Sequence, residues 1–118
     1  MGGDRLNIFI ICTVRKASEE YKLNLERYVD RLERFGNFVH LPHRDTDQSR
    51  TGIEICERNR LAILGADEVH IFYNSESQGT HFDMGVAFAY RKKIRIIENE
   101  IYAEGKSFAR MLTEWSDK

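Results

Sequence analysis

Leu6-Asn7-Ile8-Phe9-Ile10-Ile11-Cys12 is apolar at six of its seven positions, with only Asn7 interrupting. A half-exposed strand would alternate with polar residues. This one does not, so it reads as a strand covered on both faces, the pattern of a parallel sheet. The next segment changes period. Tyr21, Leu25, Tyr28, Leu32 and Phe35 recur at steps of four, three, four and three, which makes one apolar helical stripe. Ser18 with Glu19 and Glu20 supplies a cap and an acidic first turn, and Gly36 supplies a C′ stop. The alternation then repeats. Residues 37–41 read as a second strand ended by Pro42, 43–51 as a long polar loop, and 53–64 as a second helix. Residues 68–73 read as a third strand, 74–79 as a polar loop, 80–91 as a third helix, 94–97 as a fourth strand and 107–115 as a closing helix.

This β-α-β-α-β-α-β-α order predicts an α/β fold, a single flavodoxin-like or Rossmann-like three-layer domain over residues 1–118. Its parallel sheet takes the strand order 2-1-3-4, with room for an extra edge strand. At 118 residues, 42% hydrophobic and 31% charged, the chain suits one folded domain and not a disordered one. Eighteen Lys and Arg against 19 Asp and Glu leave a net charge of −1, which gives no basic footprint for a nucleic acid polymer. No apolar run approaches the roughly 18 residues of a membrane span, and the N-terminus lacks a signal-peptide layout. A cytoplasmic protein is expected. Cys12 and Cys56, 44 residues apart, are too few for a disulfide framework and wrongly spaced for zinc, so both read as packed thiols.

Strand order 2-1-3-4 has a switch point between strands 1 and 3, and ligands of such sheets bind at the carboxyl ends of the strands there. Function is therefore expected on residues 12–18 and 74–83, with 43–52 as one wall. Thr13 and Ser18 offer hydroxyls, and Arg15 offers a fork for a phosphate. Ser77, Gly79 and a helix N-terminus near Thr80 are suited to an anion. Asp83 is ambiguous on the residues alone. Thr80-His81-Phe82-Asp83 has the spacing of a capping box, and a helix cap is its plainer reading. No Gly-x-Gly-x-x-Gly or Walker loop occurs. His40 and His43 point to opposite faces of a strand, with no further ligand at a recognised spacing, so no metal is expected. His70 reads as a buried, hydrogen-bonded imidazole and His81 as exposed on a helix turn. Tyr21, Tyr28, Phe35, Phe88 and Tyr90 give more aromatic surface than one small sheet needs, so a homodimer or higher homo-oligomer is expected.

From Ile8 to Ile97 the segments resemble, in order and spacing, the nucleoside 2-deoxyribosyltransferase superfamily and its branch of 2′-deoxynucleoside 5′-monophosphate N-glycosidases. Ser77-Gln78-Gly79-Thr80-His81-Phe82-Asp83-Met84-Gly85-Val86-Ala87 looks like the family's Ser-x-Gly-x-x-[Tyr/Phe]-Glu-[Leu/Met]-Gly-x-Ala segment. Cys12-Thr13-Val14-Arg15 resembles its Gly-Ser-Ile-Arg loop, and Glu57-Arg58-Asn59 a segment that commonly carries Asp at the Asn59 position. The resemblance implies hydrolysis or transfer at the N-glycosidic bond of a nucleoside or its 5′-monophosphate. Asp83 would be the nucleophile and Asn59 would hold the supporting position. Thr13, Arg15, Ser77, Gly79 and Thr80 would bind phosphate or substrate, and His43, Tyr73 and Asn74 would line the base pocket. It implies a small-molecule substrate, no membrane partner, and neither metal nor organic cofactor.

Three departures stand out. Asp83 is one methylene shorter than Glu, Asn59 cannot exchange a proton as Asp does, and Lys16 replaces a glycine-rich position. They leave open a second reading, a non-catalytic nucleotide-binding or sensing domain of the same fold, and a third, an FMN-binding module.

Overall fold

The computed structural model describes residues 5–14, 17–97 and 107–116. In chain order the elements are β1 (Asn7–Ile11), α1 (Glu19–Arg34), β2 (Phe38–His40), α2 (Pro42–Asp45) and α3 (Gly52–Leu64). They continue with β3 (Glu68–Ile71), α4 (Gln78–Ala89), β4 (Lys93–Ile96) and α5 (Phe108–Ser116). All pairings are parallel and the sheet order is β2-β1-β3-β4, as expected.

The apolar run does what its composition requires. Ile8, Ile10 and Cys12 face α1, where they pack with Leu25, Val29, Val39, Leu41 and Phe72. Phe9 and Ile11 face the other way, into a core with Ile63, Val69, Ile71, Met84, Ala87, Ile94 and Leu112. Thus α1 covers one face and α3, α4 and α5 contribute to the other. A fully buried Ile or Phe contributes about 1.5–3 kcal/mol relative to leaving it in water.

The first helix follows its sequence signals. The Ser18 hydroxyl accepts the Tyr21 amide at 3.1 Å, Glu19 and Glu20 sit at the positive end, and Arg31 and Arg34 at the negative end. Gly36 adopts φ +94°, its N–H bonds Glu33 O and that of Asn37 bonds Leu32 O, which closes the end as a Schellman motif. Phe35 departs from the expected stripe. It is the C-cap, where the chain leaves the helix, and it is 84% exposed.

Residues 43–51 are not all loop. Pro42 ends β2 and also starts α2, because its fixed φ and missing N–H suit a first helical position. Asp45 then takes the Leu41 amide at 2.8 Å, as an acid does in a capping box. Helix α4 begins two residues earlier than expected, at Gln78.

Three rings of the expected surplus are engaged within the chain. The Tyr21 hydroxyl accepts the Thr13 amide, Tyr28 bonds His70, and Tyr90 accepts from Arg60. Phe35 and Phe88 are exposed. Among the described residues no helix is long and apolar enough to cross a membrane.

Candidate active site

Beyond the carboxyl ends of β1 and β3 the chain diverges, toward α1 on one face of the sheet and α4 on the other. That divergence opens the crevice in which ligands of such sheets bind. A side-chain bond spans it: Asn74 Nδ2 donates to Thr13 Oγ1 at 3.0 Å. Asn74 Oδ1 also accepts the Glu76 amide at 2.9 Å, an Asx turn that shapes the approach to α4. Thr13 and Asn74 are therefore brought together. Arg15 lies outside the described residues.

Ser77 caps α4, its hydroxyl accepting the Thr80 amide at 3.1 Å. This overturns the capping-box reading of Thr80 and Asp83. Ser77 lies three residues before Thr80 and reaches its N–H first, so Asp83 falls more than a turn inside the helix. The Gln78 and Gly79 amides belong to the first turn, where a helix leaves its donors without intrahelical partners. A Cβ at Gly79 would meet no protein atom within 4 Å, so the fold itself does not require glycine there.

The buried residues of α4 are Thr80, Asp83, Met84 and Ala87, spaced as one helical face. Two of the four are polar. Thr80 is fully buried and its hydroxyl has no hydrogen-bond partner among the described residues. Asp83 is 7% exposed, and its carboxyl has no hydrogen-bond partner among the described residues. Burial pushes its pKa up to about 7. The carboxyl is therefore poised between neutral and charged near neutral pH. Its neighbour is Cys12, whose thiol is pushed up to about 12, first by burial and then by the Asp83 charge. A thiol so held stays protonated and is no nucleophile.

Asn59 is buried on α3, which packs beside α4. Thr46 Oγ1 donates to Asn59 Oδ1 at 2.8 Å and lies 2.8 Å from His40 Nε2. Tyr73 follows β3, and its hydroxyl bonds His81 Nε2 at 3.2 Å. His81 Nδ1 in turn donates to Ser77 O at 2.8 Å, and Phe108 packs edge-on against the ring. His81 is thus wedged between the end of β3 and α5 and is not freely exposed on its turn. Among the described residues, His43 lies apart from Thr13 and Asn74. It sits in α2 with its Nε2 4.0 Å from Glu26, lining a groove against α1 with Asp30 and Glu33. That groove lies on the α1 side of the sheet, whereas Asp83 and Asn59 sit on helices of the other side. A residue just past a strand can follow the chain to either face, and Pro42 turns this one toward α1.

Sequence reasoning missed Thr46 altogether, and it read His40 only as a poor metal ligand. No motif flags a contact made between a loop residue and a helix 13 positions on. Among the described residues no three His, Cys, Asp or Glu side chains converge as a metal site.

No family model matches the chain, and no curated protein matches its sequence. Among solved structures it is similar to that of a Clostridium botulinum CMP N-glycosidase, BcmB, with a TM-score of 0.68 and 26% identity. The match covers 93% of this chain and 82% of that one, so the likeness extends across the crevice as well as the sheet.

Proposed function

We propose that this chain cleaves the N-glycosidic bond of a nucleoside 5′-monophosphate, with Asp83 as the nucleophile. The observation that carries the reading is a carboxyl buried at the crevice, without a hydrogen-bond partner among the described residues, whose pKa burial pushes up to about 7. A buried, unpaired carboxyl costs stability, and groups kept at such cost cluster at functional sites. Its position in a helix that resembles the family's nucleophile segment, and the likeness to a CMP N-glycosidase, support the same reading.

The reaction follows from that geometry. Ionised Asp83 attacks C1′ of the sugar, and the C1′–N bond breaks with its electron pair passing to the base. A covalent sugar ester forms. Water then adds its hydroxyl to C1′, frees Asp83, and supplies the proton that the departed base takes up. The 5′-phosphate lies over the first turn of α4, where the Gln78 and Gly79 amides and the helix dipole favour an anion, with Thr13 and Ser77 beside it; Arg15 is assigned to it only by the family resemblance. Tyr73 and Asn74 border the base. A second base in place of water would make the same ester a transfer intermediate.

The test is release of free base from a panel of nucleosides and 5′-monophosphates, by wild type and Asp83→Asn in parallel. Release by the wild type alone is the expected result. Nucleotide binding without release by either protein would favour the sensing domain, a reading to which Asn59, at a position where the family commonly has an acid, lends some support.

A further inference from the structure

Three polar groups, half-buried His40 and buried Thr46 and Asn59, form a single line from the sheet to α3. His40, at the end of β2, stacks on the fully buried Phe9 ring with centroids 5.2 Å apart and planes within 10°. Its Nε2 meets Thr46 Oγ1 at 2.8 Å, and that hydroxyl donates to Asn59 Oδ1 at 2.8 Å. Thr46 is 5% exposed and Asn59 7%. Gln48 fixes the loop from the other side, donating to the Pro42 and Thr46 carbonyls at 3.1 Å each.

With the Asn59 oxygen turned toward Thr46, the protons along this line have one arrangement. An amide oxygen can only accept, so the single Thr46 proton points at Asn59. Thr46 must then accept from His40, and the ring carries its proton on Nε2. Burial lowers the His40 pKa, which favours the neutral ring this arrangement uses. The Asn59 oxygen is turned inward and occupied, and its NH2 group is left without a partner among the described residues.

We propose that His40 and Thr46 are positioning residues that fix Asn59 as a hydrogen-bond donor toward the substrate's base, specifying bases with an acceptor beside the glycosidic nitrogen, such as the 2-oxo group of a pyrimidine. The inference rests on the N-glycosidase reading for the identity of the ligand. It explains how Asn can stand where relatives carry an acid. An acid donates only while protonated, whereas an amide donates at every pH. Placed there, the donor would meet the negative charge that gathers on the base as it departs, where a hydrogen bond is worth most.

Two measurements test it. The first is the His40 tautomer, from the ring nitrogen shifts of the ¹⁵N-labelled protein, with the Nε2–H form expected. The Nδ1–H form would reverse the line, turn a carbonyl toward the base, and overturn the proposal. The second compares affinities for CMP and for ribose 5-phosphate, which has no base, in an Asp83→Asn background that leaves CMP intact. Adding Thr46→Val is expected to weaken CMP about tenfold, the worth of one such hydrogen bond. It should leave ribose 5-phosphate unchanged, and Thr46→Ser should restore CMP binding. Equal loss for both ligands, or no preference for CMP before Thr46 is changed, overturns it. Failure of the N-glycosidase reading would register separately, as absence of base release by the wild type.

Discussion

His70 and Asp83 are both buried ionisable side chains, and they are treated in opposite ways. His70 has both ring nitrogens satisfied. Tyr28 lies 2.6 Å from Nδ1, and Glu68 lies 2.9 Å from Nε2 and also meets Arg95 at 3.2 Å. A neutral imidazole fits this arrangement, accepting from the tyrosine and donating to the carboxylate, and burial lowers its pKa accordingly. Asp83 has none of this. The contrast separates a group that ties α1 to β3 and β4 from one whose cost the fold carries without a structural return. The first serves stability, and the second is the group proposed above for the chemistry.

The largest expected effect falls on Asp83. Asp83→Asn keeps the shape and removes the proposed nucleophile, so base release should drop by about a thousandfold or more. Stability should not fall with it. A drop in melting temperature together with only a modest loss of release would mean that the carboxyl is structural after all, and would erase the contrast.

The pH dependence of stability sharpens the same comparison, because the two groups act in opposite directions. The folded Asp83 pKa of about 7 lies above the unfolded value, so the unfolded state gives up this proton more readily. Stability from this group is greatest at low pH, declines as pH rises from about 4 to 7, and is level beyond, an upper bound of about 4 kcal/mol. His70 runs the other way. Its folded pKa is lowered, so the unfolded state takes up the proton first and stability is lost as pH falls below the unfolded imidazole value. Urea titrations at pH 5 and pH 8 should show Asp83→Asn gaining relative to wild type mainly at pH 8. Equal gain at both would place the Asp83 pKa at its ordinary value.

His70→Leu comes next. It should cost about 2–3 kcal/mol, because Tyr28 and Glu68 each lose a partner in a buried setting. Once allowance is made for the folded fraction, base release should be unchanged. Loss of turnover in the folded protein would join the two regions that the structure keeps apart.

How far the sequence could be read follows the same division. β1 and α1 were legible because their signals are local: an unbroken apolar run, a serine cap, and a glycine at the turn with φ +94°. Local signals misled where two of them competed. Pro42 reads equally as a strand stop and a helix start, and Ser77 and Thr80 both offer a cap within one turn. Asp83 was found as a residue through its family-like segment, but its burial beside Cys12 was not legible, because it depends on which face of α4 meets the sheet. The His40–Thr46–Asn59 line was invisible for a stronger reason. Its members are ordinary residues of a strand, a loop and a helix, and only the packing of α3 makes them neighbours.

The smallest effects come from removing one hydroxyl at each of two buried threonines. Thr80→Val and Thr46→Val are the same chemical change, nearly isosteric, at positions 0% and 5% exposed. Thr46 donates to Asn59 and meets His40, so its replacement leaves buried Asn59 and half-buried His40 each short of a partner and should cost about 1–2 kcal/mol. The Thr80 hydroxyl bonds nothing among the described residues, so its loss should leave stability unchanged or raise it by up to about 1 kcal/mol. Urea unfolding of the two variants side by side tests the opposite signs. A fold gains nothing from an unpaired hydroxyl in its interior, so a stabilised Thr80→Val protein that binds 5′-monophosphates less well would assign Thr80 to the ligand together with Asp83. A destabilised one would mean that the hydroxyl has a partner in solution and belongs with His70, on the structural side of the comparison.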